Sequence, residues 1–433
     1  MALAARFSEN PWFENSDRWT RGRIWADYSK RLYNNRQVSV SLAAIQGCVL
    51  LGTIAYCEID MDMQSLYNAQ AIRMIQLKDF PDPFSNNNIV YRETEIRGEM
   101  VPTVWWSVWM QDHWDSAGAQ TPQQLVLDPN FPTPMEERCF EQLSAQSPHR
   151  DMSSPPETVQ SREHGLWAQM IPMTEIIASI NQLHEMIVQG RLTDVQLFDL
   201  VESIAGELDS WKRRLPKHLE FTPQNLMSYA ANGHGRILVA LHSGFHHQNQ
   251  LLYYQFLQYS ITDTMRGNSK VLQYASRCHQ HAADLTNLFW LARQTPQCES
   301  MWPMVGHLLA ISSSVHLHSL LFDDDESRIA NVKQMLTQNF EMMTDLRRYW
   351  PSIDLSMSRL RIFHQALRKS MNTTFNMDHW MLLFLQRHTK PVEERDAALF
   401  GTAGSSIVWP TLMSPVQENQ NYSIDDVLSY AAA

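Results

Sequence analysis

Between Thr103 and Trp114 (TVWWSVWMQDHW) the large apolar residues fall on every side of a 3.6-residue helix. A helix that is apolar all round is a buried one, so the stretch predicts a core helix with other helices around it. Pro102 suits its first turn, where a missing N–H costs nothing. Gly118 and Pro122 predict where the helix stops. Val38 to Cys57 carries no charge and is long enough to cross a bilayer. Ser39, Ser41, Gln46 and Thr53 dilute it, and Gly47 and Gly52 permit close helix contacts. It therefore predicts a second core helix rather than a membrane span.

Helical spacing recurs downstream. Leu166, Met170, Met173, Ile177, Ile180, His184 and Ile187 form one stripe, with Gly190 where a C-cap belongs. Thr193 and Gln196 make a capping box for the next helix, whose stripe of Leu197, Leu200, Ile204, Leu208 and Trp211 runs to Leu215-Pro216. From about Gly235 to Tyr254 two faces are legible. Leu238, Leu241, Phe245 and Leu252 share one, and His242, His246, Asn249 and Tyr253 share the other. Further helices are predicted around Val271 to Arg293 and from Met301 to Phe322. Asp79 to Asn88 reads as a loop, and the proline-rich stretch from Asp128 to Ser161 as a long, mobile surface excursion. No alternating strand pattern and no internal repeat stands out.

The expected fold is therefore all-α: a single large multi-helix domain over residues 1–390 built around the tryptophan helix, then a less ordered tail over 391–433. In that tail Ser423 and Asp426 form a capping-box pattern, and Ile424, Val427, Leu428 and Ala431 share one face. They predict a short amphipathic helix at 423–431. Acidic-hydrophobic activation segments fold on a partner in this way. The alternative is a helix docked on its own domain.

Charge narrows the partners. The net charge is −11 and no basic run is denser than Lys212-Arg213-Arg214, which argues against direct DNA binding by this chain. The five cysteines are scattered, odd in number and never spaced C-x-x-C. That pattern predicts buried thiols in a reducing compartment and no zinc cluster. The opening Met1-Ala2-Leu3-Ala4-Ala5 meets Arg6 and Glu9 at once, which is no signal peptide.

Candidate chemistry centres on histidine. His242 and His246 lie one helical turn apart, a spacing that can bind zinc, but no H-E-x-x-H and no third ligand is legible. On the Met301 to Phe322 stretch His307, Ser314 and His318 line up at i, i+7 and i+11. If the two faces met, His242, His246, Tyr253, His307 and His318 would line a polar ligand pocket among tryptophans. No metal and no cofactor is expected. Asp323-Asp324-Asp325-Glu326 invites comparison with the D-D-x-x-D/E magnesium motif of terpene cyclases. Ser327 and Arg328 stand where its last carboxylate should be, so an acidic N-cap for the next helix accounts better for the run. Asp199, Ser203 and Glu207 share the i, i+4, i+8 spacing of those enzymes' second motif. Nucleophile elbow, P-loop and dinucleotide glycine motif are all missing.

Several patches resemble the regulatory middle region of fungal zinc-cluster transcription factors. Trp105-Trp106, Asp112, Trp114-Asp115-Ser116, Gly118 and Pro122 are similar to its W-W…D-x-W-x-S…G…P block. Tyr67 to Met74 is similar to its A-x-R-M/L helix, although Met100-Val101-Pro102-Thr103 stands where the family carries an arginine run. Trp211…Leu215-Pro216…Leu219, Leu241-His242 with Phe245-His246, Arg347 to Pro351 and Ser358-Arg359-Leu360 extend the match over roughly residues 1–370. The opening Ala2 to Ser8 resembles a segment well inside that region, so the chain is expected to start partway through it. The resemblance implies a nuclear regulator of RNA polymerase II transcription, with a biosynthetic pathway as its target and without its own DNA-binding module. It implies partners in the transcription machinery, a small-molecule effector and a homodimer, and no membrane. The alternative is a helical, cyclase-type enzyme of secondary metabolism evolved from the same scaffold.

Overall fold

The computed structural model describes residues 1–35, 40–77, 95–119, 121–127, 131–142, 165–261, 268–395 and 423–429. Helices fill it, and among the described residues no strand forms, so the fold is all-α as expected. Packing divides the chain into two units: Met1–Ala178 with Trp211–Glu220, and Ser179–Ser210 with Phe221–Ala433.

The first unit holds α1 (Arg23–Asn34), α2 (Leu42–Cys57), α3 (Met61–Leu77), α4 (Glu95–Ala119), α5 (Glu137–Glu141) and the start of α6 (Leu166–Val188). The uncharged α2 is a core helix, capped by the Ser41 hydroxyl, which accepts the Ala44 N–H at 3.2 Å. It forms a tight hairpin with α3. A Cβ on Gly52 would meet the Asn68 Oδ1 at 2.5 Å, so any larger residue would have to displace the amide that donates to Asp115, whereas one on Gly47 would meet nothing within 4 Å.

Trp105, Trp106 and Trp109 of α4 are buried with Ile45, Cys48, Ile72 and Ile75 from α2 and α3. Their rings meet edge to face, Trp105 on Trp106 at 4.8 Å and Trp106 on Trp109 at 5.2 Å. Helix α4 begins at Glu95, however, so Pro102 lies inside it instead of in its first turn. The ring forfeits one backbone bond, which the burial around Val101, Val104 and the tryptophans outweighs. The helix also runs through Gly118, and its end is closed by the Thr121 N–H on the Ser116 carbonyl at 3.0 Å.

The stretch 128–161 is not solely a surface excursion. Phe131 is buried against Trp105 at 4.5 Å, and the Trp106 indole N–H donates to the Pro132 carbonyl at 2.9 Å. Glu137 accepts the N–H groups of Leu166 and Trp167 at 3.1 and 3.0 Å, capping α6. Residues 143–164, where mobility was expected, lie outside the described residues, as does the loop at Asp79 to Asn88.

The second unit holds the rest of α6, most of α7 (Asp194–Arg214), α8 (Pro223–Ala231), α9 (Gly235–Tyr253), α10 (Gln255–Ile261), α11 (Ser269–Gln294), α12 (Val305–Phe322), α13 (Glu326–Arg347), α14 (Ile353–Lys369), α15 (Met371–Thr374), α16 (His379–Gln386) and α17 (Ile424–Ser429). Gly190 caps α6 with φ +63°. Thr193 and Gln196 form the expected box, N–H to side chain in both directions at 3.0 and 3.4 Å. Helix α12 sits at the centre, packed on α9, α11, α13 and α14 and buried from Val305 to Leu320. It is long and apolar enough to cross a membrane, yet it is enclosed on every side, as a core helix is.

Order reaches past residue 390. Val392 is buried, and the Trp380 indole N–H donates to the Glu393 carbonyl at 2.9 Å. Residues 396–422 lie outside the description; α17 follows them and packs against α13.

Candidate functional site

Because α12 is buried on all sides, each polar residue on it must find a partner inside the protein. Ser312 donates to the Ala282 carbonyl at 3.0 Å. Ser313 accepts from Asn339 at 3.0 Å, and Ser314 shares a hydrogen bond with the Tyr254 hydroxyl at 2.9 Å. The His316 Nε2 meets the Thr286 hydroxyl at 2.9 Å, and the His318 Nδ1 meets the His279 Nε2 at 3.1 Å. Burial pushes His247 and His316 down to about 3, and His184, His279 and His388 to about 4. His307 and His318 also fall well below the ordinary imidazole range for the same cause. The interior of this unit is thus lined with neutral imidazoles.

The five residues expected to share a ligand pocket do not converge. His242 is buried beside Phe221, with ring centroids 5.4 Å apart. The Tyr253 hydroxyl accepts from Arg277 at 2.8 Å, and its ring stacks on Tyr274 at 5.3 Å. His307 packs between His247 and His388, at 5.7 and 5.5 Å. His318 lies against His279, Phe322 and Phe375. The fifth, His246, turns to α11. Helical spacing put the rings on common faces of α9 and α12, but helix packing then handed each ring a different neighbour. A small pocket between α11, α12 and α13, lined by Phe289, Arg293, Val305, Met342 and Asp345 among others, holds roughly 20 Å³, about one water. None of the five lines it.

His246 instead meets two residues that periodicity did not single out. Its Nδ1 lies 3.0 Å from the His281 Nδ1 and 3.8 Å from the Asp284 Oδ2. All three side chains are half-buried, and their potential ligand atoms lie within 4.8 Å of one another. His281 and Asp284 are three residues apart on α11, so they project from one face. That i, i+3 pairing was legible in the sequence; its partner on α9, 35 positions away, was not.

The carboxylates compared with cyclase motifs serve other ends. Asp325 caps α13, its Oδ1 accepting from the Ser327 and Arg328 N–H groups, and Asp323 pairs with Arg328 at 2.8 Å. Asp199, Ser203 and Glu207 all stand exposed on α7.

Comparison of the chain with known protein families, characterised proteins and solved structures finds no match.

Proposed function

We propose that this chain is the regulatory region of a fungal zinc-cluster-type transcription factor or co-regulator, acting in the nucleus through protein partners. One observation carries the reading: the two patches that most resemble that family bind one another. Asp115, from the tryptophan block, accepts from the side-chain amides of Gln64 and Asn68, the latter inside the Tyr67 to Met74 helix. Asp112, from the same block, accepts the main-chain N–H groups of Gln124 and Leu125 just beyond Pro122, both at 2.8 Å. Further along, Trp211 donates to the Gln169 carbonyl at 3.0 Å, and Leu215 and Leu219 are buried beside it in sequence.

Under this reading the fold presents partner and effector surfaces and leaves promoter recognition to another chain or module. The cyclase-type alternative gains nothing from the geometry, since its carboxylates are spent on a helix cap and an exposed helix face. The test is a fusion of the whole chain to an unrelated DNA-binding domain, expressed in a fungal host with a reporter. A severalfold change in reporter output relative to the DNA-binding domain alone is expected, and it should vanish in Asp112→Ala. An unchanged reporter, with the fusion intact in the nucleus, would overturn the proposal.

A further inference from the structure

We infer that His246, His281 and Asp284 form a site for a zinc-type divalent ion that clips α9 to α11. Two imidazole nitrogens and a carboxylate oxygen are a donor set suited to zinc, with a tetrahedral shell completed by one water. Tetrahedral bonds of about 2.0–2.1 Å place donor atoms roughly 3.3 Å apart. The two Nδ1 atoms, at 3.0 Å, already stand near that separation. The Asp284 Oδ2, at 3.8 Å from the His246 Nδ1 and with all three ligand atoms within 4.8 Å of one another, would join them by a side-chain rotation that draws it inward.

The surroundings suit the role. The other oxygen of Asp284 accepts the Gln280 amide at 2.8 Å, which orients the carboxylate as outer partners of metal ligands do. Phe245 lies edge-on to both imidazoles, at 5.3 and 5.7 Å, closing one side with apolar surface. On the other side the His246 side chain is 15% exposed and that of Asp284 37%, leaving an entry path and room for water. The competing account of two nitrogens 3.0 Å apart is a single shared proton, an N–H···N bond between neutral rings. The two accounts differ in what zinc does. A metal bridging α9 and α11 binds the folded chain and raises its melting temperature in proportion to occupancy, whereas a proton-sharing pair leaves it unmoved.

The experiment uses the full chain stripped with a chelator, then titrated with zinc chloride by calorimetry and followed by thermal melting, with magnesium chloride in parallel. One equivalent of zinc bound, a higher melting temperature and no response to magnesium are expected. His281→Gln and Asp284→Asn should each weaken zinc about tenfold or more while the far-ultraviolet circular dichroism stays that of the parent. Asp284 is half-exposed, so its variant keeps the test open if His281→Gln folds poorly. A flat titration of the parent at micromolar zinc, or zinc binding that survives Asp284→Asn unchanged, would overturn the assignment. Neither result bears on the regulatory reading, which the reporter fusion tests separately.

Discussion

The carboxylate of Asp112 holds the main-chain N–H of Leu125 at 2.8 Å, tying α4 to the chain that leaves it. The same oxygen takes the Gln124 N–H, and Asp112 is only 4% exposed. Asp112→Ala would leave the buried Leu125 N–H without an acceptor and release the Gln124 N–H to solvent, and should destabilise the chain by about 1–3 kcal/mol. Asp112→Asn keeps an acceptor oxygen and should lose less than half of that. Urea denaturation of the two variants checks the order; equal midpoints would show that the anchor is not made.

The tryptophans can be told apart by chemistry as well as by size. Trp106 and Trp109 are 2% and 1% exposed, and Ala at either should cost about 3–5 kcal/mol. The Trp106 indole donates to Pro132, whereas the Trp109 indole nitrogen has no partner. Trp106→Phe should therefore be the more damaging of the two phenylalanine variants, by about 1–2 kcal/mol. Melting temperatures in the opposite order would count against the packing described.

Arg359 is 1% exposed, and its guanidinium donates to four carbonyls at and beyond the end of α16: Leu383 at 3.0 Å, Phe384, Arg387 at 2.7 Å and Lys390 at 2.8 Å. Lysine carries only a point charge and three donors, without the planar fork. Arg359→Lys should cost about 1–3 kcal/mol, and Arg359→Ala about 3–5 kcal/mol. Hydrogen exchange should show the loss first in residues 383–390. Unchanged protection there would sink the prediction.

Acid should destabilise the chain through its buried histidines. A folded imidazole held at about 3 or 4 stays neutral where the unfolded one, near 6.5, has taken up a proton. Their contribution is complete above pH 6.5 and is lost as pH falls through the folded values. Each buried imidazole removes about 1.4 kcal/mol per pH unit within that window. Asp115 works in the opposite sense. Burial lifts it to about 7, so its contribution is complete below its ordinary value of 3.8 and is lost as pH rises through 7. One carboxylate cannot offset five imidazoles, so the urea midpoint should fall steeply from pH 6.5 to 5. A midpoint that rises over that interval would show the imidazoles are not buried and neutral.

Sequence-selective DNA binding is not expected of this chain, with a net charge of −11 and no C-x-x-C spacing. A mobility-shift assay at physiological salt should show none. Nanomolar, selective binding would refute it.

Local rules determined much of this protein from sequence. The all-round apolar pattern marked Trp105, Trp106 and Trp109 as core, because no rotation of such a helix leaves them in water. Gly190 and the Thr193–Gln196 box were legible because caps are made between residues a few positions apart. The burial of α2 followed from its lack of charge, whereas that of α12 came only with the structure.

Tertiary structure decided the rest. Pro102 lies within α4 because packing around it outweighs one lost backbone bond, which periodicity cannot weigh. His242, His246, Tyr253, His307 and His318 fall on shared helix faces, yet each found a separate neighbour. A face says which way a ring points, and the crossing of two helices says what it meets. The meeting of His246 with His281 and Asp284 depends on how α9 lies against α11, across 35 positions of chain. No local spacing encodes it.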